Sequence, residues 1–175
     1  MLGDSIRIGL VFIHMIAAAI WIGGTIFVAV VLVPAIRRTD SPRVGVGILR
    51  DAVRRFSRIS WVMLAVLILS GVGLLERRDL LFDDVTSSAF WSTELGTVLA
   101  IKVFLVVVVL VLSAVHDFVL GPRLASVLES IEPGARPSPD VARMRRRLVS
   151  LARLNLLLVL AIVALGTMLF RGVPG

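Results

Sequence analysis

Four long apolar stretches, at about residues 6–36, 56–75, 97–120 and 148–170, alternate with polar connections along this chain of 175 residues. Each reaches or exceeds the roughly 20 residues that a helix needs to cross a hydrocarbon core. The pattern predicts an all-α integral membrane protein: one domain over residues 1–175, built as a four-transmembrane-helix bundle with almost no soluble part. The first stretch does not read as a cleaved signal peptide, because its apolar run is longer than a signal core and its positive charges follow it.

Charge gives this pattern a direction. Hydrophobic residues make up 58% of the chain, against about 45–50% in soluble domains. In a soluble protein the net charge of +7 would suggest nucleic acid; here its distribution argues for topology and against a nucleic-acid partner. The connection 35–58 carries seven arginines against two acids, and 121–153 seven against three, whereas 76–96 carries two against five. The positive-inside rule places the two arginine-rich connections in the cytoplasm and both termini outside, the topology of a multi-pass protein in a bacterial-type inner (plasma) membrane. Arginines beside the helix ends are also placed to meet anionic lipid headgroups. The absence of cysteine excludes disulfides and thiolate ligands.

The spacing of a few residues suggests a duplication. His14 lies twenty residues before Pro34, and Lys102 twenty before Pro122. The second helix steps thirteen residues from Arg58 to Gly71, and the fourth takes the same step from Arg153 to Gly166. Two tandem helical hairpins of equal orientation would be parallel repeats about an axis along the membrane normal. That arrangement predicts His14 and Lys102 at equivalent positions, facing each other in the outer half of the bilayer. His116, fourteen residues beyond Lys102 on the same helix, would lie roughly 21 Å deeper at ~1.5 Å per residue.

These three residues are the candidate chemistry. Lys102 is the one lysine beside eighteen arginines, and an ionisable group inside a membrane helix marks a functional site by default. Unlike arginine, a buried lysine can lose its proton and offer a nitrogen lone pair; the competing reading is a lysine that lifts its ammonium to the interface. On the first helix Arg7, His14 and Trp21 recur every seven residues, with small Ala17, Ala18, Gly24 and Thr25 on the same face. A nitrogen donor amid small residues suits a flat cofactor such as haem, held between helices; small residues equally suit close helix packing. Arg7 is placed to pair with a haem propionate, and Trp21 and Ala18 to line the cofactor. His116 reads as bonded to polar neighbours such as Asn155 or Ser150, with a second metal site there as the alternative. Trp91, beside Phe90, reads as part of an interfacial belt. Copper(I) favours thiolate or thioether ligands, and the methionines are scattered; only Met15 and Met168 lie where they could join His14. No nucleotide-binding loop, hydrolase metal spacing or paired nucleophile and base occurs.

At these residues the chain resembles a known family. His14-x6-Trp21-Ile-Gly-Gly24 with Phe27 and Pro34, the Arg55-Phe56-Ser57-Arg58 start of the second helix, and the Lys102 helix resemble the membrane domain of copper-resistance protein D (CopD). The chain is also similar to the HemJ type of protoporphyrinogen oxidase, a related four-helix family in which a first-helix histidine and a third-helix lysine are tied to haem b. The resemblance implies His14 and Lys102 as haem ligands and a membrane b-type haem protein that transfers electrons or oxidises a membrane-accessible substrate, a haem-dependent oxidoreductase in the latter case. It implies a redox partner or a membrane-soluble substrate; a homodimer is a further candidate partner. The alternatives are copper transport with a copper ion as cargo, and a non-catalytic assembly partner whose polar residues only fix helix packing. The chain departs from the HemJ pattern in the Gly-Gly after its tryptophan and in a Pro-rich connection, Glu132–Pro139.

Overall fold

The computed structural model describes residues 2–38, 42–76, 87–131 and 138–171, and every regular element among them is helical. Helix α1 (Leu2–Phe27) runs through a π-helical segment (Val28–Leu32) into α2 (Val33–Arg37), and α3 follows over Pro42–Glu76. A short α4 (Ser88–Trp91) precedes α5 (Glu94–Ala114), which passes through a second π-helical segment (Val115–Leu120) into α6 (Gly121–Glu129). Helix α7 covers Pro139–Arg171. Four spans, Asp4–Ile36, Gly47–Glu76, Glu94–Leu128 and Pro139–Thr167, are long and apolar enough to cross a membrane. Much of their apolar surface is exposed, including Phe12, Leu69, Phe104 and Leu157, as expected where lipid rather than protein is the neighbour. The protein is an all-α membrane protein with four spanning helices.

The chain forms two compact units, residues 1–87 and 88–175. In the first, α1 packs on α3, and the approaches of Leu10 to Gly73, His14 to Gly71 and Phe56 to Gly24 show that the two helices run antiparallel. In the second, α5 packs on α7, and the pairs Lys102 with Gly166 and Ser113 with Asn155 give the same antiparallel sense. Each unit is therefore a helical hairpin.

Both π-helical segments arise from proline. A proline within a helix has no N–H to give, and its ring crowds the carbonyl four residues back. Pro34 and Pro122 would press on the carbonyls of Val30 and Phe118 in an unbroken α-helix. Instead the turn widens: Val33 N–H bonds the Val28 carbonyl, and Gly121 N–H bonds the His116 carbonyl, each five residues back. Gly121 also leaves room for that carbonyl, which would stand 3.0 Å from a Cβ at this position.

The helices outrun their apolar stretches. Helix α3 begins at Pro42 and α7 at Pro139, well before the expected starts at 56 and 148, and α6 carries the third helix on to Glu129. Much of what polarity assigned to connecting loops is thus helix. Arginine is a strong helix former and proline is favoured in a first helical turn, so the arginine-rich segments continue the backbone hydrogen bonding outside the apolar region. Before α5, the Thr93 hydroxyl caps the helix by accepting from Gly96 N–H at 3.0 Å. Phe90 and Trp91 meet edge to face with centroids 5.3 Å apart, and the Phe90 carbonyl fills the place of a side chain on Gly96. The acidic connection 77–86, residues 132–137 of the Pro-rich connection and the side chain of Met168 lie outside the described residues.

Candidate functional site

In the first unit one stripe of α1 faces α3. Ala17 and Trp21 are buried, and His14 and Gly24 fall on the same side at helical spacing. The ring of Phe56 occupies the space a side chain on Gly24 would need, so the two halves of the sequence pattern, His14–Gly24 and Arg55–Arg58, meet in one packing contact. Thr25 donates its hydroxyl proton to the Trp21 carbonyl at 2.8 Å. Trp21 and Gly24 thus serve the interface between the hairpin's two helices. Ala18 is half-buried, and Arg7 is exposed two turns before His14. Met15 is 65% exposed, which turns it away from the buried Ala17 stripe.

His14 is held by Ser70. Its Nδ1 lies 2.8 Å from Ser70 Oγ, and Ser70, itself buried, gives its own proton to the Val66 carbonyl at 2.6 Å. With the Ser70 proton on the Val66 carbonyl, the hydroxyl oxygen is left to accept, and a ring carrying its proton on Nδ1 would donate to it and keep its lone pair on Nε2. This is the arrangement by which a second residue fixes the tautomer and orientation of a metal-binding imidazole. Gly71 follows immediately: a Cβ there would stand 3.6 Å from His14 Cε1, in ordinary contact. Sequence reasoning missed Ser70, although a small polar residue beside the repeated glycine of an apolar helix was a usable signal.

The second unit places Lys102 in the corresponding position. Its Nζ would lie 3.5 Å from a Cβ on Gly166, so the lysine is directed at α7 rather than along its own helix to the interface. Lys102 is eight residues into α5, about 12 Å along the axis at ~1.5 Å per residue. The thirteen-residue step that pairs Gly71 with Gly166 in sequence therefore pairs them in structure too: each is the glycine against which its unit's basic side chain rests. A second correspondence lies eleven residues deeper. Asn155 Nδ2 donates to Ser113 Oγ at 3.1 Å, while Thr25 and the buried Ser60 stand at the same offsets from His14 and Gly71. Asn155 Oδ1 is buried without a recorded partner.

His116 does not bond Asn155 or Ser150. It sits in the second π-helical segment with its Nδ1 2.8 Å from Asp117 Oδ1, the next residue in the chain, while Asn155 turns to Ser113. The wider π turn separates His116 from the register that would have carried it toward α7. Among the described residues no three histidine, cysteine, aspartate or glutamate side chains gather in a way that could hold a metal ion. A metal at His14 would take its protein ligand from that single imidazole and from other donor types.

No curated protein and no solved structure matches the chain. The family model described as copper resistance protein D matches residues 50–169. This region takes in most of α3, including Phe56, Ser70 and Gly71, and the second unit through Lys102, Asn155 and Gly166; His14 lies before it. The match covers well over half the chain, which belongs to the copper resistance protein D family.

Proposed function

We propose that this copper-resistance-related membrane protein binds haem b through His14 and serves electron transfer or the oxidation of a substrate reached from the membrane. The hydrogen bond from His14 to Ser70 is the observation that carries this reading. It orients the imidazole through Nδ1, and an imidazole nitrogen is the donor type that haem iron accepts. His14 would hold the group through one nitrogen; the described residues bring no cluster of three or more histidine, cysteine, aspartate or glutamate ligands together. When bound, haem would supply one-electron chemistry, its potential tuned by ligand type and burial. The protein's own part is to aim the imidazole through Ser70, to keep Gly71 small beside it, and to offer Arg7, exposed at the start of α1, to a carboxylate. Lys102 is the matching candidate ligand of the second unit, with a nitrogen donor in place of the imidazole.

Absorption spectroscopy of the purified protein tests the proposal. A Soret band that shifts on reduction, and is lost or turned high-spin in His14→Ala, supports it; a spectrum that is the same in the wild type and in His14→Ala overturns it. The family description favours a second reading in which copper itself is the cargo. Metal analysis separates the two: copper retained in proportion to protein, with no haem absorbance, supports transport.

A further inference from the structure

A groove of about 670 Å³ opens on the surface of the second unit, lined by Leu120, Arg143, Arg146, Arg147, Ser150, Leu151 and Leu154. Its wall on one side is the last residue of the π-helical segment; the other side is the first half of α7. Leu124 and Val141 are buried, which closes α6 on α7 beyond its arginine end. Along α7 the lining changes character in one direction. Three guanidinium groups come first, then the Ser150 hydroxyl, then Leu151 and Leu154, opposite Leu120. From Arg146 to Leu154 is eight residues, or about 12 Å at ~1.5 Å per residue, enough to reach from the headgroup region, roughly 5–8 Å on each side of a bilayer, into its hydrocarbon. Asp140 pairs with Arg143, and no ion pair to Arg146 or Arg147 is recorded among the described residues.

We infer that this groove binds one anionic phospholipid, with its headgroup phosphate held by Arg146 and Arg147 and the start of its acyl chains against Leu120, Leu151 and Leu154. Charge complementarity identifies the occupant. Guanidiniums that line one groove suit the oxygens of a phosphate, and a leucine surface continuous with them suits a molecule that is anionic at one end and apolar at the other. A free phosphate would use only half of the lining, and a zwitterionic lipid would bring a cation to the arginines. The site is independent of any role for His14.

The test is thermal unfolding of the full chain in detergent, with added phosphatidylglycerol, phosphatidylcholine or inorganic phosphate, alongside native mass spectrometry of the retained lipid. Phosphatidylglycerol should raise the midpoint, and the other two should leave it nearly unchanged. In Arg146→Gln/Arg147→Gln the apparent affinity should fall about 25-fold, each arginine near an anionic headgroup contributing roughly fivefold. Arg54→Gln/Arg55→Gln removes the same charge from α3, outside the groove, and should retain wild-type affinity. Leu154→Gln should weaken the lipid while leaving the arginines in place, and lipid retained by the wild type should be anionic. The inference is overturned if both arginine pairs weaken phosphatidylglycerol equally, if phosphatidylcholine matches it, or if inorganic phosphate alone reproduces the shift.

Discussion

Ser70 Oγ stands 2.8 Å from His14 Nδ1 and sends its own proton to the Val66 carbonyl, so one hydroxyl holds the orientation of the imidazole. Removing it should loosen the ligand without removing it. Ser70→Ala is expected to retain the fold and lower haem affinity by about 10–100-fold, the usual cost of losing a residue that orients a metal-binding histidine. Haem titration of the purified variant measures this. Ser70→Thr keeps the hydroxyl and should recover most of the affinity; equal affinity in all three proteins would remove Ser70 from the site.

The two histidines should separate in the same assay. His14→Ala should lose the cofactor or turn it high-spin, whereas His116→Ala should leave it in place, since His116 is engaged by Asp117 within its own turn. Loss of haem in His116→Ala with retention in His14→Ala would move the site to the second unit.

Lys102→Arg distinguishes a ligand from a charge. Arginine keeps the positive charge but offers no lone pair. If Lys102 bonds iron, the variant should show an altered spectrum, and the wild-type bond should weaken as pH falls because protons compete for the amine. An unchanged spectrum in Lys102→Arg would leave the residue as a packing partner of Gly166.

Gly24 and Phe56 should behave as one packing unit. The Phe56 ring fills the place of a Gly24 side chain, so Gly24→Ala is expected to destabilise the first hairpin by about 1–3 kcal/mol through overpacking. Phe56→Leu in the same chain should relieve part of that loss, and a double-mutant cycle followed by unfolding in detergent gives the coupling. Additive effects of the two changes would show that the ring moves aside freely.

Orientation can be read from single cysteines, because the natural chain has none. With both termini outside, Ser88→Cys should react with an impermeant reagent added from outside, and Ser138→Cys only after permeabilisation. The opposite pattern would invert the topology drawn from the arginines.

Hydropathy was enough to locate the four spans, because lipid imposes one simple demand, a long run of apolar side chains. It placed the helix starts late for α3 and α7, since the arginines that end an apolar run do not end a helix. The spacings of His14, Lys102, Gly71 and Gly166 were visible as numbers, but their meaning, a basic side chain resting on a glycine across the hairpin, needed coordinates. Ser70 escaped notice because a lone serine in an apolar helix usually bonds its own backbone. It does so here, and it accepts from His14 as well. The partner of His116 was misplaced because it was sought among polar residues of the fourth helix, whereas the nearest acceptor is its own chain neighbour, Asp117.

That widening has a consequence for how the first and third helices present themselves. A π turn takes in one residue more than the α turn it replaces, and at 3.6 residues per turn one residue is about 100° of rotation. Side chains beyond Leu32 and Leu120 therefore point about a quarter-turn away from where an unbroken helix would send them. Each of these helices is two surfaces joined at a swivel: one half is dialled to meet its hairpin partner at His14 or Lys102, and the other meets the same partner with a different face. Deleting a single residue between Val28 and Leu32, or between Val115 and Leu120, would leave length and hydropathy almost untouched and redirect everything downstream of the cut.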